Sequence, residues 1–266
     1  MGIVNVTPDS FYEGSRHEGS AAMTHVDALI SAGADIIDIG GESTRPGAKR
    51  VSADEQLRRI EPVLRHATSR SGIVVSLDTT LPQVASRGLE LGAQWVNDVS
   101  CLANDDLARV TARAGAKLVL MHSRPDMARM RGFSQYPDAA YQDVVLDVLS
   151  EWSQARDRAV AAGLSPSSIY FDPGLGFSKN AKQSLRLLSR LDEFSVLQTP
   201  IVVGPSRKSF IASLDGAPPP ERLGGTLAAC IWAAQHGASV LRVHDVREVR
   251  QALAVLSAID GGTADG

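Results

Sequence analysis

Cysteine is nearly absent: Cys101 and Cys230 are the only two in the chain. Two thiols cannot build a disulfide framework or a four-cysteine zinc site, so small buried residues in a reducing compartment are expected. Basic charge is also in short supply. Lys and Arg number 27 against 30 Asp and Glu, a formal charge of -3. Nucleic acid and anionic membranes are thereby excluded as main partners, because binding them leans on a basic footprint. An anionic small molecule needs only local cations and stays open. No apolar run approaches the ~20 residues of a membrane span. The short apolar stretch at the start has no basic lead-in, so no secretory signal is expected and the location is expected to be cytoplasmic. No composition break divides the chain either. What is present is 44% hydrophobic residues over 266 positions, enough for one well-packed domain, read as residues 1–260 with a short tail at 261–266.

Short β-rich runs recur at Ile3–Val6, Ile36–Ile39, Ile73–Leu77, Trp95–Val96, Leu118–Met121, Ile169–Phe171, Ile201–Val203 and Val240–Val243. Several are continuously apolar rather than alternating, as parallel strands covered on both faces must be. Helix candidates separate them, among them Ala21–Ala32, Ala53–Ala67, Ala103–Ala114, Ala139–Ala162, Leu223–Gln235 and Val246–Ser257. Four helix ends share one spelling, Gly33-Ala34, Gly92-Ala93, Gly115-Ala116 and Gly237-Ala238. Glycine just past a helix supplies the left-handed cap from which a short link enters the next strand. Ser52, with Glu55 three residues on, has capping-box spacing at the start of one helix. Eight strands in βα alternation predict a single (β/α)8 TIM barrel, an α/β fold with mobile loops at its C-terminal face.

Polar residues fall where such a barrel does its chemistry. Asn5, Asp38, Asp78, Asn97 with Asp98, His122, Asp172, and Arg242 with His244 stand at strand ends, and strand seven runs into Ser206, Arg207 and Lys208. Any one alone reads as a turn residue or helix cap. A whole ring of them reads as one polar pocket. Arg45, Lys208, Arg242 and His244 can supply the cations of an anion site, guanidinium forks suiting phosphate. Asn5 offers one neutral oxygen to a magnesium ion that keeps most of its waters. Asp78, Asn97 and Asp172 form a second, accepting group, fit for the N–H edge of a guanidine-like heterocycle, and Lys208 can both pair with Asp172 and donate to a ring carbonyl. His122 reads as structural. The loops Gly40–Gly47 and Asp172–Phe177 are glycine-rich but match neither the dinucleotide nor the P-loop fingerprint. The polar stretch from Thr7 to Gly19 has the character of a mobile lid. Physics alone thus points to a barrel enzyme acting on a phosphorylated or pyrophosphorylated heterocycle.

At these residues the chain resembles the dihydropteroate synthase family of pterin-binding barrel enzymes. The resemblance rests on "MGIVNVTPDSF" from Met1, "GGESTRPGA" from Gly40, "SLDT" from Ser76, "ND" at Asn97, "LMH" from Leu120, "DPGLGFSK" from Asp172, "SRKSF" from Ser206 and "RVHDV" from Arg242, in family order over nearly the whole chain. It implies a transferase that condenses 6-hydroxymethyl-7,8-dihydropterin pyrophosphate with p-aminobenzoate, releasing 7,8-dihydropteroate and pyrophosphate in folate biosynthesis. Carried over to this sequence, Asp78, Asn97, Met121, Asp172 and Lys208 are expected to contact the pterin. Asn5, Arg45, Arg242 and His244 are expected to hold the pyrophosphate, Asn5 also touching magnesium. Phe11, Thr44, Pro46, Phe177 and Ser209 are expected around p-aminobenzoate, with Arg45, Lys208, Arg242 and His244 carrying the catalysis. Sulfonamides as inhibitors and a homodimer are further implications. A pterin-binding methyltransferase would share the barrel and ring-binding carboxylates but has no use for the "GESTRPGA" and "SRKS" segments. A silent pterin-binding paralogue should have eroded the anion pocket, whose four cations are all present. Three departures stand out: Glu13 where Asp is common, Pro205 before the serine of "SRKS", and Thr80-Leu81-Pro82 after "DT". Many members also carry a β-hairpin ahead of the first strand, where this chain begins, so the barrel bottom is expected to be less covered.

Overall fold

The computed structural model describes residues 1–7, 18–43, 50–125 and 135–261. Among them the elements run β1 (Gly2–Asn5), α1 (Glu18–Ser31), β2 (Ile36–Gly40), α2 (Ala53–Thr68), β3 (Val74–Asp78), α3 (Pro82–Glu90), β4 (Trp95–Asp98), α4 (Asp105–Arg113), β5 (Lys117–Met121) and α5 (Val144–Ala161). They continue as β6 (Ile169–Asp172), α6 (Ala181–Ser189), β7 (Ile201–Val203), α7 (Ser209–Asp215), α8 (Leu223–Gln235), β8 (Ala238–Leu241) and α9 (Val246–Ile259). The strands lie in one sheet in chain order, each parallel to the next. The sheet curls until its ends meet. Val243 pairs in parallel with Gly2, its N–H donating to the Met1 carbonyl at 2.9 Å while Ile3 N–H donates to Val243 O at 3.1 Å. The fold is a TIM-like barrel.

The apolar strand runs pack outward against the helices, because βα crossovers leave a parallel strand covered on both faces. One cluster centres on Trp152, Phe171 and Phe194, the other on Ile37, Ile39, Leu64 and Val75, all fully buried. A small cluster of Met1, Ile36, Trp95, Val119 and Val202 fills the other end of the barrel from the polar mouth. The four glycine helix ends adopt the expected left-handed conformation, with φ of 90°, 101°, 64° and 96° at Gly33, Gly92, Gly115 and Gly237.

Several boundaries differ from the sequence-based expectation. Strand β8 ends at Leu241, three of its four residues pairing with β7 across a register shift, and Arg242 lies just beyond it. Helix α5 begins at Val144 rather than Ala139, since Asp143 caps it by accepting from Val145 and Leu146 N–H at 2.9 and 3.2 Å. The capping box at α2 is half present. Ser52 accepts the Glu55 N–H at 3.3 Å, but the Glu55 carboxylate turns to Arg58 and Arg59 at 2.6 and 2.7 Å, where two charge-assisted bonds outcompete one backbone N–H. Helix α3 falls outside the named candidates, and Gly88 is the reason. Glycine weakens a helix signal, yet here a Cβ would come within 2.2 Å of Leu77 Cδ1. Its absence lets α3 lie directly on β3.

Candidate active site

Barrel geometry brings the strand ends together, and the first consequence is electrostatic. Arg242 lays its guanidinium between two carboxylates, Nε donating to Asp38 and Nη2 to Asp78, both at 2.7 Å. Asp38 is wholly buried and also accepts from Ser76 Oγ at 2.6 Å and Asn97 Nδ2 at 3.0 Å. A carboxylate paired to arginine only accepts, so the Asn97 nitrogen is the end that faces it. The Asn97 oxygen is thereby kept for another donor. Burial pushes the Asp78 carboxyl up to about 7, with Arg242 opposing and Asp38 reinforcing the shift. Asp78 is held as a strong acceptor close to its proton-binding threshold.

Across the mouth, β6 ends at Asp172, whose Oδ1 accepts the Gly174 N–H at 2.7 Å. Burial raises its pKa, against the pull of Lys208, Arg242 and Lys179. Lys208 donates to the Leu175 carbonyl at 2.6 Å and stands 4.8 Å from the centroid of the Phe177 ring. Burial lowers Lys208 to about 8, with Asp172 resisting. Phe177 packs with Val99 and Met121 in a small apolar cluster. Aliphatic Val99 and Met121 therefore lie beside the acceptors and the ammonium, a combination suited to a flat heterocycle with polar edges, and the Phe177 ring borders them. Gly174 makes the wall possible: at φ 68° its missing Cβ would sit 2.0 Å from the His122 carbonyl oxygen.

The loops after β7 and β8 are stitched together. Ser206 Oγ lies 3.0 Å from His244 Nδ1 and accepts the His244 N–H at 3.2 Å. Arg207 adopts a left-handed φ of 55° and donates to Asp245 at 2.9 Å. This tie holds the backbone of Lys208 beside that of Arg242. His244 is not the cation the sequence allowed. Burial, with the Arg242 charge second, lowers it to about 4, so it meets a ligand as a neutral imidazole.

Asn5, Asp78, Asn97, Met121, Asp172, Phe177, Lys208, Ser209, Arg242 and His244 all lie at or just beyond strand ends, Ser209 as the first residue of α7. Phe11, Thr44, Arg45 and Pro46 lie outside the described residues. The separation into a cationic and an accepting group does not hold for Arg242, which joins the two. The direct Lys208–Asp172 pair gives way to the Leu175 carbonyl. Asp98 serves its own loop, accepting from Ser100 N, Ser100 Oγ and Leu102 N at 2.9, 2.6 and 2.6 Å. His122 is buried and structural as read, and Lys179, within "DPGLGFSK" but given no role, donates to it. The sequence marks Asp38 only as a strand-end carboxylate, and its apolar neighbours Ile37 and Ile39 are the one signal of its burial. A cavity of about 1040 Å³ opens over the β2–β5 side of the mouth, lined by Glu42, Asp78, Thr79, Val99 and Arg124 among others. It reaches the acceptors at Asp78 but not Asp172, Lys208 or Arg242.

Known proteins are similar to this chain in sequence and in fold. The sequence profile of the family described as pterin binding enzyme matches residues 1–244. Dihydropteroate synthase of Escherichia coli strain K12 is 40% identical, the match covering 97% of this chain and 90% of that protein. Among solved structures, Xanthomonas albilineans dihydropteroate synthase with 4-aminobenzoic acid superposes with a TM-score of 0.90 at 39% identity, over 98% of this chain and 92% of that one. Yersinia pestis dihydropteroate synthase in a sulfonamide drug complex superposes with a TM-score of 0.89 at 36% identity, over 98% and 94%.

Proposed function

This chain belongs to the pterin-binding enzyme family, in its dihydropteroate synthase branch, and from that membership we infer that it condenses 6-hydroxymethyl-7,8-dihydropterin pyrophosphate with p-aminobenzoate in folate biosynthesis. The observation that carries the reading is the converging set of acceptors, Asp78, Asp172 and the oriented Asn97 oxygen, beside the Lys208 ammonium and the apolar Met121. Three acceptors suit the N–H groups of a pterin edge, and Lys208, largely protonated at neutral pH, suits its ring carbonyl.

Arg242, Asn5 and neutral His244 are proposed to face the pyrophosphate with Arg45. Arg242 brings net charge only after Asp38 and Asp78, so Arg45 and magnesium carry much of the neutralisation. Magnesium fits as an ion that arrives with the pyrophosphate. Among the described residues no group of three His, Cys, Asp or Glu could hold a resident ion, and one neutral oxygen, at Asn5, suits an ion that keeps its waters and phosphate oxygens. Its chemistry there is to offset the charge of the departing group. Thr44, Pro46, Phe11, Phe177 and Ser209 are proposed around p-aminobenzoate. The arylamine is already neutral at pH 7, so no strong base is needed. Catalysis rests on holding the amine nitrogen, the pterin methylene carbon and the pyrophosphate oxygen in line, so that the C–N bond forms as the C–O bond breaks, and on stabilising the leaving pyrophosphate.

Sulfonamides are proposed to occupy the p-aminobenzoate site. A homodimer is proposed on α8, which exposes Gly224, Ala228 and Trp232 on successive turns. A cytoplasmic location is proposed as well; no helix among the described residues is long and apolar enough to cross a membrane. Incubating purified protein with both substrates and magnesium should yield dihydropteroate and pyrophosphate in equal amounts. Pyrophosphate release without dihydropteroate, or neither product, would refute the assignment.

A further inference from the structure

Lys179 is wholly buried, charged residues seldom are, and no step of the proposed reaction uses it. Its Nζ lies 2.9 Å from His122 Nδ1, 3.2 Å from the His122 carbonyl and 2.9 Å from the Phe177 carbonyl. The hydrogen atoms around it can be counted. His122 Nε2 meets Glu151 at 3.0 Å. Against the push of burial, His122 and Arg124 hold Glu151 down at about 2, so Glu151 is a carboxylate and only accepts. The ring proton therefore sits on Nε2, because burial, aided by the Lys179 charge, keeps His122 neutral with a pKa of about 4. Its Nδ1 is left as an acceptor. Lys179 then faces three acceptors, and only an ammonium has three N–H donors to match them.

The Phe177 carbonyl is the informative partner. The loop from Gly174 to Ser178 alternates left-handed residues, with φ of 68° at Gly174, 77° at Gly176 and 49° at Ser178. A chain in that conformation has no ladder to hold it. Lys208 ties down its Leu175 carbonyl from the mouth, and Lys179 ties down its Phe177 carbonyl from behind. We propose that Lys179 is a positioning residue whose ammonium anchors the Phe177 backbone to the end of β5 and so holds the Phe177 ring in place as the floor of the arylamine subsite. This rests on the assignment of Phe177 to the p-aminobenzoate surroundings. A loop shifted by about an ångström would cost the arylamine its alignment while leaving the strand-borne acceptors of the pterin where they are.

The test measures KM for each substrate, with the other saturating, in the full chain carrying Lys179→Met or the polar Lys179→Gln. The KM for p-aminobenzoate should rise ~10-fold or more while that for the pterin pyrophosphate stays within ~3-fold, a split that general loss of stability would not produce. An unchanged arylamine KM in either variant, or equal rises for both substrates, overturns the proposal. The charge count adds a wild-type readout. Burial lowers Lys179 to about 7, with Asp172 resisting, so the third donor is lost as pH rises through that value and the arylamine KM should climb. Asp172, Cys101, Lys208, Glu151 and His122 also face this site, and all remain in both variants. A climb that persists in Lys179→Gln belongs to them and sinks the idea, as does a flat wild-type profile between about pH 6 and pH 9 if neither variant folds. Failure of the wild-type chain to form dihydropteroate would overturn the functional reading beneath it instead.

Discussion

Asp78 is where binding and stability should be opposed. Its carboxyl titrates at about 7 in the folded chain, chiefly because burial penalises the charge, against an ordinary value of 3.8. A raised acid pKa means that the folded state holds its proton at pH values where the unfolded chain has released it. Stability therefore falls as pH rises from about 4 and levels off above about 7. The full penalty is the shift of roughly three units at ~1.4 kcal/mol each, about 4 kcal/mol for the ionised form. Asp78→Asn is nearly isosteric and never ionises, and Arg242 keeps Asp38 as its counter-ion at 2.7 Å. The variant should be more stable than the wild type at pH 8 by about 1–4 kcal/mol, the lower part of the range allowing for the lost Arg242 contact. The gain should shrink as pH falls towards 4 and vanish below it, where Asp78 becomes protonated in the unfolded chain as well. Pterin affinity should move the other way, because an amide presents a donor where the ring edge needs an acceptor. Urea unfolding of both proteins at pH 4, 6 and 8 gives the stabilities, and calorimetry with a non-reactive pterin gives the affinity. A variant less stable than wild type at pH 8, or a difference independent of pH, would show that the Arg242 pair outweighs the cost of burying the carboxylate, and the argument would fail.

Asp172→Asn should weaken a non-reactive pterin by about 1–3 kcal/mol, the scale of a lost charge-assisted hydrogen bond; unchanged affinity in a calorimeter would place Asp172 outside the ring site. Gly174→Ala should unfold or strongly destabilise the chain, since its Cβ would meet the His122 carbonyl at 2.0 Å. Gly72→Ala, at φ 77° with nothing within 4 Å, should cost only the ~1–2 kcal/mol of a left-handed residue, so equal losses in thermal melts would contradict the clash. Magnesium pyrophosphate should tighten p-aminobenzoate at least ~10-fold, about 1.4 kcal/mol of coupling, and Arg45→Ala should remove most of it. Equal affinity with and without magnesium pyrophosphate would mean a preformed arylamine pocket.

The legible parts of this protein are those in which near neighbours in the chain decide the conformation. Gly33, Gly92, Gly115 and Gly237 announce helix ends because the left-handed cap is a property of one residue. Apolar runs such as Ile36–Ile39 announce covered parallel strands, and polar residues just past them announce the mouth. Local competition already spoils finer detail, as at Glu55, where Arg58 and Arg59 draw the carboxylate away from its cap. Beyond that range, the sequence by itself determined the barrel and the family, since the family's motifs are contiguous strings at strand ends. Which groups neutralise which was left to the tertiary structure. Arg242 meets Asp38 and Asp78 across 204 and 164 residues, and Lys179 meets His122 across 57. The curl of the sheet creates those contacts, and burial then sets the proton affinities of Asp78, Lys208 and His244, because the cost of a charge depends on the solvent and partners around it rather than on its neighbours in the chain.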